Sequence, residues 1–245
     1  MTRVELLGLP LDVLDVRSTL DQIEDFVNSR APHQHVVVNA AKIVQAQRSP
    51  DLAEVIRSCD LINADGMAVV WAGRLLGVPV PERVAGIDLM DDVLARAAVK
   101  GWRVYFLGAR QEVVEEVARR ETARHPGLTV AGFRNGYWTP LEEAGVVRAV
   151  AEARPDILLV AMPSPQKEHF LGRHKETLAV PFVMGVGGSF DVVAGKVNRA
   201  PRWMQRAGLE WLFRMLQEPR RMFTRYLVGN TRFVMLVLRH WRATR

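Results

Sequence analysis

Short apolar or β-branched runs alternate along the chain with stretches in which apolar residues recur every three to four positions. The runs at 35–38, 60–63, 103–107, 128–132, 156–161 and 182–186 predict strands. Helical spacing predicts helices over 40–48, 51–58, 66–76, 87–99, 112–124, 141–153 and 166–177. Strands separated by helices of this length predict a parallel sheet with helices on both faces. A run such as ILLVA, apolar at every position, fits a strand buried on both sides. No internal repeat, low-complexity segment or long linker interrupts the alternation. The texture changes near Asn198. Pro201, Gly208, Pro219 and Gly229 then punctuate the chain and predict three short amphipathic helices over 209–217, 220–228 and 232–241, the last almost wholly apolar between basic ends. The expected organisation is an α/β body over 1–197 and a helical appendage over 198–245.

Composition supports this division. Of 245 residues, 49% are hydrophobic, enough for a sizeable core and against disorder. The lone cysteine, Cys59, excludes an internal disulfide and suits a reducing compartment. The opening residues carry Glu5 and Asp12 without a long apolar stretch, so no signal peptide is expected. No run approaches the roughly 18 apolar residues needed to span a bilayer. Net charge is +6, unevenly distributed: residues 199–245 hold eleven Arg, no Lys and only Glu210 and Glu218, a net +9, leaving −3 on the rest. A basic tail on a slightly acidic body suggests an anionic surface, membrane or nucleic acid, as partner. The tail's apolar content favours lipid.

In open α/β sheets, ligands sit beyond the carboxyl ends of the strands. The polar or Gly positions there are Asn39, Asp65 with Gly66, Gly108, Ser164 and Gln166, and the turn from Gly187 to Asp191. Asp65 has two readings: the cap of the following helix, or a general base that takes a proton from an acceptor hydroxyl. The segment GVGGSFD departs from the dinucleotide fingerprint because residue 190 is Phe, which weakens a nicotinamide reading. Its glycines suit a backbone cradle for a nucleotide's phosphates or ribose, or simply a tight turn. Gly108 before a helix offers a weaker anion site. Asp88, Asp91 and Asp92 share a helix face and are expected to be solvated there. His33 and His35 lack an evident third metal ligand, and no DxD triplet occurs. No catalytic metal and no cofactor are expected. Positive charge for a diphosphate leaving group would come from Lys167, Lys196 and the tail arginines. Trp203 and Met204 are expected to pack inside, and 232–241 to face lipid.

Four stretches taken together are highly specific: NADGMAVVWAGRLLGVPVPERVAGIDLM, FLGARQEVVEEVA, PDILLVAMPSPQKE and GVGGSFDVVAGKVNRAPRWMQRAGLEWLFRMLQEPRR. In this order, from about residue 35 to 230, they closely resemble the WecG/TagA/CpsF glycosyltransferase family. The resemblance implies a Rossmann-like body with a membrane-docking C-terminal appendage. It also implies inverting transfer from a UDP-sugar to a polyprenyl-diphosphate-linked saccharide, in teichoic acid linkage-unit, common-antigen or exopolysaccharide synthesis. Asp65 matches the family's candidate base, and Asn39 the Asn expected near the sugar. Arg83 and the turn containing Gly185, Gly187, Gly188 and Asp191 match motifs lining the nucleotide-sugar pocket, with Gly108 and Ser164 beside them. Arg214, Arg220 and Arg221 match arginines that reach the acceptor's diphosphate, and Gln166 and Lys167 belong to the substrate side.

Two departures matter. Many members carry Thr where this chain has Val37, and many read SPKQE where it reads Ser164-Pro165-Gln166-Lys167-Glu168. They leave the donor sugar open. The implied location is the inner face of the cell membrane, with UDP-sugar, lipid-linked acceptor and an anionic surface as partners, no nucleic acid, and a homo-oligomer possible. The competing readings are a non-catalytic scaffold of a polysaccharide assembly complex, a nucleic-acid binder and, weakest, an oxidoreductase.

Overall fold

Several stretches of helical spacing between the strands begin or end on a recognisable signal in the computed structural model. It describes residues 1–217 and 219–243, with the side chains of Arg206, Arg214 and residues 219–227 outside the described set. The chain runs β1 (Arg3–Leu6), β2 (Leu9–Asp12), α1 (Val16–Ser29), β3 (His33–Val38), α2 (Ala40–Ala46), α3 (Pro50–Arg57), β4 (Leu61–Ala64), α4 (Met67–Leu76), α5 (Gly86–Lys100) and β5 (Arg103–Gly108). It continues with α6 (Gln111–Arg124), β6 (Thr129–Arg134), α7 (Glu143–Glu152), β7 (Ile157–Ala161), α8 (Gln166–Leu178), β8 (Phe182–Gly185), α9 (Ser189–Val193), α10 (Arg202–Arg206), α11 (Glu210–Gln217) and α12 (Pro219–Ala243). Asn39 and Ser49 cap α2 and α3 with their side chains, while Gly77 and Gly101 end α4 and α5 in the left-handed conformation.

Among the described residues, six strands form one all-parallel sheet in the order β4-β3-β8-β7-β5-β6. This is the Rossmann-like α/β architecture expected from the alternation. Alternate residues of the strands feed opposite faces. Val104 and Phe106 join α1, α5, α6 and α9 in one core, whereas Tyr105 and Leu107 join α7 and α8 in another. A third core, at the β3–β4 end, is built by α2, α3, α4, the β1–β2 hairpin and two side chains of α12. All strands being parallel, their carboxyl ends share one edge, and β5 and β7 there send their next helices, α6 and α8, to opposite faces.

Three expectations are corrected. The hairpin and α1 were absent from the sequence reading. The hairpin turn, Leu7-Gly8, holds both residues at positive φ (53° and 82°), a turn usually written Asn-Gly. Leu7 tolerates this because its side chain is buried in the third core and its carbonyl accepts from Gln47 Nε2. Second, 220–228 and 232–241 are one helix, α12, running through Gly229. Glycine inside a helix costs about 1 kcal/mol, and burial of Phe233 and Val237, one turn apart, against the body holds the helix together. Third, Met204 packs inside as expected, but Trp203 is 65% exposed.

Candidate active site at the carboxyl edge of the sheet

Of the expected site residues, Asn39 and Asp65 lie where β3 and β4 end, while others lie at the ends of β8, β7 and β5 along the same edge. Val38 and Ala64 are register partners, and Asp65 N–H donates to Val38 O at 2.8 Å, so Asn39 and Asp65 follow neighbouring strand ends. Both are partly buried. The cap of α4 is Gly66, with no side-chain cap bond, so Asp65 does not serve as that helix's cap. Asn39 does cap: its Oδ1 accepts from Lys42 N–H at 3.0 Å, leaving its Nδ2 donors for a ligand.

The PERVAGID segment folds onto these same ends. Val84 N–H donates to Ala64 O at 2.8 Å, the residue before Asp65. Val37 lies under Gly86, within 3.6 Å of where a Cβ there would sit, so the position often held by Thr is an apolar packing surface. Arg83 is thereby fixed beside the β4 end, 14% exposed, with Nη1 2.6 Å from Glu210 Oε2 and Nη2 3.8 Å from Asp88 Oδ2. Asp88 in turn grips Arg199 through both carboxylate oxygens at 2.7 Å. Asp91 binds Arg124 at 2.8 Å, so the face of Asp88 and Asp91 is ion-paired rather than merely solvated.

The appendage roofs this corner. Gly208, at φ +71°, lets the turn between α10 and α11 approach α4: a Cβ there would lie 2.8 Å from Met67 Cβ and 3.3 Å from Trp71. Met67, Arg83, Arg202 and Gln205 then line a cleft of about 280 Å³. It is an open, polar, cationic cleft two residues along from Asp65, with walls from both body and tail.

A second feature lies beneath the edge. Lys42, Lys167 and Glu168 are all buried, with Glu168 Oε1 2.8 Å from Lys42 Nζ and 2.6 Å from Lys167 Nζ. Lys42 Nζ also donates to Val37 O at 2.7 Å, tying the cluster to the strand that ends at Asn39. Burial pushes the Glu168 carboxyl up, but the two ammonium groups outweigh it and hold the carboxyl down at about 2. The carboxylate thus ties both ammonium groups together below the strand ends. The stem of Lys167, a residue expected on the substrate side, fills the space over Gly185, where a Cβ would meet Lys167 Cδ and Cε at 2.9 Å. Gln166 and Ser164, by contrast, are exposed on the rim.

The Gly187–Gly188 turn is open: a Cβ at either position meets nothing within 4 Å, and Asp191 is only partly buried. Ser189 closes the turn on itself, Oγ donating to Val186 O at 2.8 Å. Gly108, at φ +126°, is demanded by packing, since a Cβ would lie 2.4 Å from Ala161 O. The side chains of Arg214, Arg220 and Arg221 lie outside the described residues.

Sequence reasoning did not find Lys42, Glu168, Met67, Arg202 or Gln205. The signal for Lys42 was present, a cation three residues after a strand-ending Asn. Two buried groups are inert by environment: burial pushes Cys59 up to about 12, and burial drives His35 down to about 3 despite its bond to Asn63, so it stays neutral.

The description of the glycosyl transferase WecG/TagA/CpsF family matches residues 4–245. The chain belongs to this family. It is 36% identical over 200 residues to an N-acetylglucosaminyldiphosphoundecaprenol N-acetyl-beta-D-mannosaminyltransferase of Bacillus spizizenii, covering 82% of this chain and 76% of that one. It is 31% identical over 209 residues to a protein of the same name from Bacillus subtilis, covering 83% and 81%. In this WecG/TagA/CpsF protein, then, Asp65 and Asn39 follow neighbouring strand ends, and the segment holding Arg83 joins them to the tail through Glu210.

Proposed function

We propose that the protein transfers a sugar from a UDP-sugar to a polyprenyl-diphosphate-linked saccharide, with inversion at the anomeric carbon and without a metal. The observation that carries this is Asp65 at the β4 end, next to Asn39 and beside a cationic cleft walled by body and tail. Asp65 takes the proton of the acceptor hydroxyl as that oxygen bonds to the anomeric carbon. The bond from that carbon to the UDP oxygen breaks on the opposite face, and UDP leaves with the electron pair. The open Gly187–Gly188 turn with Asp191, and Gly108 and Ser164 alongside, receive the nucleotide. Asn39 and Gln166 contact the sugar. Arg83 and Arg202 stabilise developing negative charge on the diphosphate. Arg214, Arg220 and Arg221 are assigned to the acceptor's diphosphate.

The tail is the membrane-facing unit of this proposal. No helix among the described residues is long and apolar enough to cross a membrane. Yet α12 buries Phe233 and Val237 while exposing Val234, Met235 and Leu238 on its other side. A helix apolar on two sides with one side in the body supports a docking role for the other. With eleven arginines in the sequence from 199 to 245, an anionic inner leaflet is the surface that fits.

The test is a transfer assay read by mass spectrometry, with UDP-sugars and short polyprenyl-diphosphate saccharides offered to wild type and Asp65→Asn. The names of the relatives make UDP-N-acetylmannosamine the first donor to offer. The expected result is gain of one sugar by the acceptor, slowed about 10²–10⁴-fold in the variant while UDP binding persists. Equal rates in both proteins would remove Asp65 from its assigned role.

A further inference from the structure

The two strands that flank β8 are tied across its end by buried charge. Lys42 sits in the first turn of α2, after β3, and Lys167 and Glu168 sit in the first turn of α8, after β7. β8 lies between those strands in the sheet, so the two helix starts stand about two strand spacings apart, roughly 9–10 Å. Glu168 Oε1 closes that gap, 2.8 Å from Lys42 Nζ and 2.6 Å from Lys167 Nζ. The stem of Lys167 passes over Gly185, the last residue of β8, where a Cβ would come within 2.9 Å of it. We propose that Lys42 and Glu168, with Lys167, are positioning residues for the transfer: they brace Asn39 at the end of β3 against the Gly187–Gly188 turn that follows β8. This rests on the reading above, in which Asn39 contacts the sugar and the turn receives the nucleotide.

Stability alone does not call for charge at this place. All three residues are buried, and replacing a buried ion pair or triad by apolar side chains of similar volume is often neutral or stabilising. What charge adds is direction. Lys42 is fixed at both ends: its backbone N–H donates to Asn39 Oδ1 at 3.0 Å, and its Nζ donates to Val37 O at 2.7 Å. The first bond sets the Asn39 amide, and the second holds the strand two residues before it. On the other side, Lys167 N–H donates to Pro163 O at 3.0 Å and Val186 N–H donates to Val160 O at 2.9 Å, so the start of α8 and the residue before Gly187 are both anchored to β7 and its exit. Glu168 joins the two halves. Burial raises its carboxyl, but the ammonium groups hold it down at about 2, so the tie is ionised throughout the neutral range. A sugar held at one strand end and a nucleotide held at the next need a fixed separation, because a misplacement of about 1 Å can cost about 10²-fold in rate.

The experiment compares full-length wild type, Lys42→Met and the triple variant Lys42→Met, Lys167→Met, Glu168→Leu. Each is measured in steady-state transfer to a short polyprenyl-diphosphate N-acetylglucosamine, from whichever UDP-sugar wild type accepts, UDP-N-acetylmannosamine being offered first. UDP titration by calorimetry and urea unfolding accompany the kinetics. Lys42→Met leaves Glu168 and Lys167 as a one-to-one pair and keeps the backbone bond to Asn39. The triple variant keeps the volume without the charge and should unfold at a midpoint no lower than wild type. In both variants kcat is expected to fall about tenfold or more while UDP affinity stays within about twofold. That split separates positioning from general loosening, which lowers UDP affinity and the unfolding midpoint together with kcat. Wild-type kcat in either folded variant overturns the proposal, as does a loss of kcat matched by a loss of UDP affinity. Wild type that transfers no sugar from any UDP-sugar overturns the reading of the site, and this proposal with it.

Discussion

The body and the appendage use the same kinds of residue in opposite ways. In the body, the apolar run of β7 is buried throughout, and buried charge is matched, Lys42 and Lys167 against Glu168. In the appendage, large apolar side chains such as Trp203, Leu216 and Met235 are each more than half exposed, and arginines far outnumber acids. Of its two glutamates, Glu210 is committed to Arg83 of the body. The body also exposes apolar side chains, Leu141 and Val99 among them, so the difference between the two lies in the arginine excess that accompanies the tail's exposed apolar positions. The two meet at Arg83, so the cleft beside Asp65 depends on both.

The sharpest test of the body's side of this contrast is Glu168→Gln. It removes the carboxylate that both buried lysines share, a loss of about 3–5 kcal/mol in denaturant unfolding. The pH dependence has a definite sign. The Glu168 carboxyl is held down at about 2 in the folded protein against an ordinary 4.5. Its stabilisation is thus complete above about pH 4.5 and is lost as pH falls through about 2. Melting temperature in wild type should fall over that window, and Glu168→Gln should remove that part of the slope. A variant as stable as wild type would mean the two lysines are not held by this carboxylate.

Phe233→Ala tests whether α12 belongs to the body at all. Phe233 is 5% exposed in the third core, so its removal should cost about 3 kcal/mol, read as a lower unfolding midpoint. A neutral result would make α12 a detachable arm rather than a docked helix. Smaller again is the Arg83–Glu210 pair, partly open to solvent. Here a double-mutant cycle of Arg83→Ala and Glu210→Ala should give a coupling of about 1 kcal/mol. A coupling of zero would separate the cleft's two walls.

The sequence legibility of the molecule divides along the same line. Five strands of the sheet were readable because their apolar runs are buried almost throughout, whereas the edge strand β6, with no buried residue, was readable from its place in the strand–helix alternation. The hairpin was not, because its turn puts a leucine where Asn is the usual sign, and tertiary burial overrides turn preference. The join across Gly229 was hidden for a similar reason: Phe233 and Val237 gain a partner surface that local spacing does not display. Asp65 and Asn39 stood out because they follow strand ends, and Arg83 because the PERVAGID segment resembles the family's. The partner of Arg83 did not, since Glu210 lies 127 residues away. The ion pairs of Glu168 were equally invisible, since a lysine in a helix gives no sign of which carboxylate it will meet.

The smallest stability effect carries the most information about the tail. Trp203→Ser, Leu216→Ser and Met235→Ser together change exposed positions, so stability should stay within about 0.5 kcal/mol per site. Their effect should instead appear in sedimentation with vesicles containing anionic lipid, where the triple variant should bind at least about tenfold more weakly than wild type, since each apolar side chain immersed is worth about 1.5–3 kcal/mol. Raising the salt concentration should weaken wild-type binding too, because the arginine contribution is screened. Wild-type vesicle binding in the variant would leave these side chains to another surface. Analytical ultracentrifugation would then show whether that surface is a second copy of the chain, since the triple variant would dissociate where wild type associates.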